Sequence, residues 1–185
     1  MFKNPMIAAN KPSNAEIIGE VRDHLGRYPV RLKFEGAQVD GRFGGGWFGE
    51  AVRLETTGEE MLGHVWSAAL RLSVSSRLDA SVLRLRCAGS TEVSSAVLEL
   101  LADRALGEVH TRRGMYGFDV AVSSGELQGT SQTNRGAQRI ALRAKALSSA
   151  RPSDALLVTV ALIAHIAHRE VAHAALESLS VMSHL

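Results

Sequence analysis

His165 and His168 lie three residues apart near the end of the chain, and His173 follows. Two histidines at that spacing share one side of a helix and form the strongest metal-ligand pattern in the sequence. Zinc takes three or four protein ligands, however, and at about 100° per residue His173 points roughly 140° away from His168. No cysteine pair or carboxylate-rich segment completes a set, so no metal is expected, and the histidines read as solvated or capping groups where a buried helix emerges. Cys87 sits on an apolar strand face and reads as a buried small hydrophobe rather than a nucleophile. There is no Gly-x-x-x-x-Gly-Lys-Ser/Thr loop, and the glycine-rich stretch Gly41 to Gly49 lacks the strand-to-helix setting that a nucleotide fingerprint needs. That stretch reads as a turn or bulge. Alternatively, its Phe43, Trp47 and Phe48 form an exposed aromatic patch for a protein partner. No acid/base pair or nucleophile constellation can be assembled, so the expectation is a non-catalytic protein without a cofactor.

The other candidate chemistry is electrostatic. Basic residues gather at Arg135, Arg139, Arg143, Lys145 and Arg151, with Arg112 and Arg113 in an earlier turn and Arg84 and Arg86 on another strand. Arg139, Arg143 and Lys145 share a strand face, which would concentrate positive potential on one strip able to hold phosphate headgroups. An ordinary solvated outer face is the alternative. Stacking aromatics do not interleave with these arginines, so nucleic acid is not the expected partner. The formal net charge of +2 is only weak support for a polyanion.

The elements that must position these residues follow from periodicity. At 185 residues, 45% hydrophobic and 22% charged, the chain suits one soluble globular domain over residues 1–185. Apolar and polar residues alternate through Val30 to Phe34, Ala68 to Val74, Val82 to Cys87, Met115 to Val122 and Arg139 to Ala146, the mark of strands with one buried face. Asp40-Gly41, Thr57-Gly58 and Ser124-Gly125 read as turns between antiparallel strands of a barrel or sandwich. Glu16 to His24 fits a short helix, and Ser95 to Ala105 fits helix or strand equally. From Asp154 to about Leu176 the chain reads as one helix, and Ala155 to Ala164 is apolar on every side. Such a helix must be surrounded. Its continuous apolar run is about half the roughly 20 residues that cross hydrocarbon, so enclosure by strands, not a transmembrane span, is expected. The opening residues lack the apolar run of a signal peptide and Cys87 is the sole cysteine, which makes a cytoplasmic location the expectation.

An apolar-Gly-x-Val core recurs every 44 residues, in Ile18-Gly19-Glu20-Val21, Leu62-Gly63-His64-Val65 and Leu106-Gly107-Glu108-Val109. These segments, with the preceding acid-turn residues Thr57 to Met61 and Ala102 to Ala105, resemble strand pairs of the tubby C-terminal-like superfamily, in its LURP-one-related and phospholipid scramblase-like branch. Ser153 to Ala164 is similar to the opening of that branch's terminal helix. The resemblance implies a mainly β fold, an antiparallel closed barrel of about a dozen strands around a buried C-terminal helix, with an anionic lipid as a partner. It does not extend to calcium chemistry, because Ala146 to Pro152, where scramblases carry an acidic segment, has no carboxylate.

Overall fold

Period-two alternation resolves into twelve antiparallel strands in a computed structural model that describes residues 14–24, 26–45, 49–90, 92–133, 136–146 and 152–182. They are β1 (Asn14–Asp23), β2 (Gly26–Glu35), β3 (Gln38–Phe43), β4 (Glu50–Thr57), β5 (Glu60–Trp66) and β6 (Arg71–Asp79), then β7 (Val82–Ala88), β8 (Val93–Leu100), β9 (Arg104–Thr111), β10 (Gly114–Ser123), β11 (Glu126–Thr133) and β12 (Gly136–Ala146). Each strand pairs with its chain neighbours, and β1 closes the ring on β12 with Ile18 opposite Arg143 and Arg22 opposite Arg139. The helix α1 (Asp154–Met182) fills the closed barrel. Ser153 caps it, its Oγ accepting from the Leu156 amide at 3.2 Å. Every residue from Ala155 to His168 is buried, with Leu72, Phe118 and Ile140 among the strand residues of the same core. An 18-residue window within Asp154–Ala172 is long and apolar enough for a membrane span, yet 78% of it is buried inside the barrel.

Two expectations are corrected and one open alternative is resolved. Glu16 to His24 belongs to β1: Ile17 and Val21, four apart, fit helix and strand alike, and pairing with both β12 and β2 decides for strand. Ser95 to Leu100 completes β8. Asp40-Gly41 lies inside β3, and the turn is at Gly36, whose φ of 62° needs the left-handed region.

The 44-residue repeat is two copies of a 22-residue hairpin unit. Glycines at 19, 41, 63, 107 and 129 fall at that interval on the inner face, and a Cβ on any of them would come within 2.0 to 2.2 Å of a carbonyl oxygen on the paired strand. Opposite each glycine stands a large aliphatic residue, Leu142, Leu32, Leu54, Leu98 or Val120, which covers it. The sixth unit inverts the pair. Leu85 occupies the glycine position and Ser76 the leucine position opposite it. Volume is conserved, because one large side chain still fills the space between two strands. Turns keep the same step, since Gly36, Gly58, Ala80 and Ser124 all have positive φ.

Candidate functional site: the sealed mouth and the arginine face

Where α1 leaves the barrel, the inner wall turns polar. The 22-residue step places Tyr28, Glu50, Leu72, Ser94, Tyr116 and Gln138 in one ring, and the helix presents His165, His168, Arg169 and Glu170 to it. His165 is 1% exposed. Its Nδ1 donates to Gln138 Oε1, and its Nε2 lies 3.2 Å from Ser131 Oγ. Gln138 Nε2 donates at 2.9 Å to Asp23 Oδ2, and His168 Nε2 lies 3.2 Å from the same oxygen without hydrogen-bond geometry. The His168 ring packs on Tyr28 at 4.9 Å, and the Tyr28 hydroxyl donates to the buried Glu50 carboxylate. Burial, then the Glu50 hydrogen bond and charge, raises the Tyr28 pKa and keeps that hydroxyl protonated. Arg169 completes the seal, with Nη2 donating to Tyr116 Oη at 2.9 Å and the guanidinium 4.4 Å from the ring centroid.

The line Ser131, His165, Gln138, Asp23 has the order of a hydrolase relay, but Ser131 is 2% exposed and the rings of Tyr116 and Phe118 close over His165. Burial, then the charges of Arg169 and His168, pushes His165 down to about 3, so it stays neutral. The network satisfies both ring nitrogens of His165 on a helix that must leave an apolar barrel, while His168 Nε2 has only the nearby Asp23 carboxylate without a hydrogen bond. His165 and His168 are therefore at the helix exit as the sequence suggests, but neither is solvated; the side chain of His173 lies outside the described residues. No group of three or more metal-ligating side chains forms among the described residues.

Beside the exit, a cavity of about 170 Å³ is lined by Cys87, Ser94, Glu92, Arg113 and Glu170. Burial raises the Glu170 carboxyl, as does neighbouring Glu92, while Arg113 and Arg169 oppose the shift. Glu92 also lies 3.5 Å from Arg112. Cys87 is fully buried, its thiol pushed up to about 12.

Phe43 is not available to a partner: it is fully buried, 6.2 Å from the Tyr28 ring. Its inward position follows from the alternation of β3 with Val39, Gly41 and Phe43 on one face. Trp47 and Phe48 lie outside the described residues, as do Arg135 and Arg151. An exposed tryptophan does occur at Trp66, in a shallow outer groove with Arg53, His64 and Arg71.

Arg139, Arg143 and Lys145 do share the exposed outer face of β12. Along that strand, however, the charges of Arg143 and Lys145 are answered. Arg143 Nε lies 3.3 Å from Glu126 Oε1, and Lys145 stands opposite Glu16. Glu16 faces Lys33, Lys33 faces Asp40, and Asp40 pairs with Arg53 at 2.9 Å, giving a row of alternating sign. The unanswered charge runs across strands. Arg22 stands between Arg139 and Arg27, and Ile18 between Arg143 and Arg31, with Arg42 beyond. Arg27 has only a 3.9 Å contact with Glu20, and Arg22, Arg31 and Arg139 have no ion-pair partner among the described residues. Sequence reasoning missed this face because its rows exist only once β1 closes on β12.

Compared with family models, curated proteins and solved structures, the chain matches none of them.

Proposed function

We propose that this protein is a non-catalytic module that docks on an anionic phospholipid surface through the outer wall of β12, β1, β2 and β3. The observation that carries the reading is the arginine row Arg139, Arg22, Arg27. Like charges directly opposite one another on a sheet destabilise it, and the row beginning at Lys145 has none of that cost. A surface of phosphate groups would neutralise several of these arginines at once, at about 1 kcal/mol each. Ile18, exposed between Arg143 and Arg31, adds an apolar contact at the headgroup level. A closed twelve-strand barrel around a C-terminal helix is also the architecture expected of the tubby-like superfamily, which supports both that kinship and a lipid partner at the cytoplasmic leaflet.

Arg22→Glu tests the reading because its two effects have opposite signs. It places a carboxylate between Arg139 and Arg27, so fold stability should hold or rise. Losing one positive charge and gaining a negative one near the bilayer should weaken binding by about 2 kcal/mol, about thirty-fold. Cosedimentation with phosphatidylserine-containing vesicles at low and physiological salt, against neutral phosphatidylcholine, reads the binding. Equal binding to both lipids, or unchanged affinity in the variant, would reject lipid docking and favour a protein-interaction domain using the groove beside Trp66.

A further inference from the structure

The outer wall carries a second basic sector. On β6 and β7, Arg77 stands directly opposite Arg84, and Arg86 lies two residues along the same face, opposite Ser75. The three arginines line an open groove of about 250 Å³ with Ser75, Leu62 and Glu60. Glu60 answers Arg77 at 3.7 Å, while Arg84 and Arg86 have no ion-pair partner among the described residues. Leu62 is 57% exposed at the groove's edge. The composition repeats that of the first face: a like-charged pair across two strands, unpaired arginines, and an exposed aliphatic side chain beside them. Ile18 and Leu62 even hold the same place in their 22-residue units.

The position of this sector gives it meaning. In the closed ring β7 is six strands from β1, halfway round a ring of twelve, so the two faces look in opposite directions. Strands spaced about 4.8 Å apart make such a barrel on the order of 20 Å across, well beyond the screening length of about 8 Å. Between the faces the excess of positive charge is lost. Glu55 offsets Arg53 on β4, and Glu99, Glu108 and Asp119 outweigh Arg104 on β8 to β10. A bilayer of negative charge would gain nothing from the first of these sectors and be repelled by the second, which leaves two opposed contact orientations.

We propose that the β6–β7 face engages a second anionic bilayer, so that one barrel bridges two membrane surfaces. The inference rests on lipid docking by the first face and adds bivalence to it. Its test uses the full-length protein with phosphatidylserine-containing vesicles, read by cosedimentation for binding and by dynamic light scattering for clustering. Wild type should bind and cluster vesicles at low salt, with clustering reversed by high salt. R84E/R86E should still sediment with vesicles through the first face, within about three-fold of wild-type affinity, but should fail to cluster them. Binding without clustering in the wild type would overturn the bridge while leaving lipid docking intact. Clustering that persists in R84E/R86E would also overturn it, by assigning the cross-link to self-association. Absence of wild-type binding would remove both readings.

Discussion

The inverted pair in the sixth hairpin unit offers the sharpest test of the repeat. Ser76→Leu places a second large side chain against buried Leu85, an overpacking that costs about 2 kcal/mol. Leu85→Gly removes a buried leucine side chain and loosens a strand, for about 4 kcal/mol. If the two sites were independent, the double variant would lose about 6 kcal/mol, enough to unfold many domains. The structure predicts otherwise. Five other units already pair a large aliphatic on one strand with a glycine opposite, so the double variant restores the common arrangement and also removes the Ser76 hydroxyl, which is buried without a partner. Its loss should be about 2 kcal/mol or less, giving a coupling of about 4 kcal/mol. Urea unfolding of the four proteins closes the cycle. Additive losses would refute the claim that these positions share one volume.

Other expectations follow from single residues. His165 has a folded pKa of about 3 against 6.5 when unfolded; only the unfolded chain takes up its proton, so stability should fall as pH drops through 6.5, by about 2 kcal/mol at pH 5. That slope should flatten in His165→Asn, measured by urea midpoints at pH 7 and 5, and an unchanged slope would refute the assignment to His165. Ala80, exposed with φ of 54°, should gain about 1 kcal/mol on replacement by glycine, seen as a higher melting temperature. Leu157→Asp should yield no cooperatively melting protein, since it buries an unpaired carboxylate among the barrel's apolar side chains. Cys87 should react with a thiol reagent at pH 8 only as fast as the protein unfolds.

The fold was legible from two signals, the period-two runs and a helix without a polar side. Either alone would have been ambiguous, because a short apolar alternation does not say how many strands share a sheet. The repeat was read at twice its true length for a physical reason. Ile18, Leu62 and Leu106 precede their glycines, whereas Asp40 and Gln128 precede Gly41 and Gly129, and that outward position is free to vary because it faces water. Chemistry at the mouth was not legible. Gln138, Asp23 and Ser131 meet His165 from separate strands, and nothing local marks them as partners. The basic strip was half legible: its residues are exposed together, but the carboxylates answering Arg143 and Lys145 come from neighbouring strands.

The helix itself directs where function can lie. Eight-stranded barrels can hold a small ligand in the lumen and much wider ones leave a channel, but here α1 fills the lumen and the exit is closed by Arg169, His168 and their partners. The proposed lipid docking would therefore act on the outer wall, where folding demands little more than a polar residue at every second position. Within that freedom, the row from Lys145 to Arg53 alternates in sign while the row from Arg139 to Arg27 does not, although both cross the same strands β12, β1 and β2. Folding stability favours the first pattern and opposes the second. A like-charged row beside a ladder of alternating sign is not what folding alone would favour, and the proposed lipid docking would account for it. The same contrast recurs at Arg77 and Arg84 on the far side.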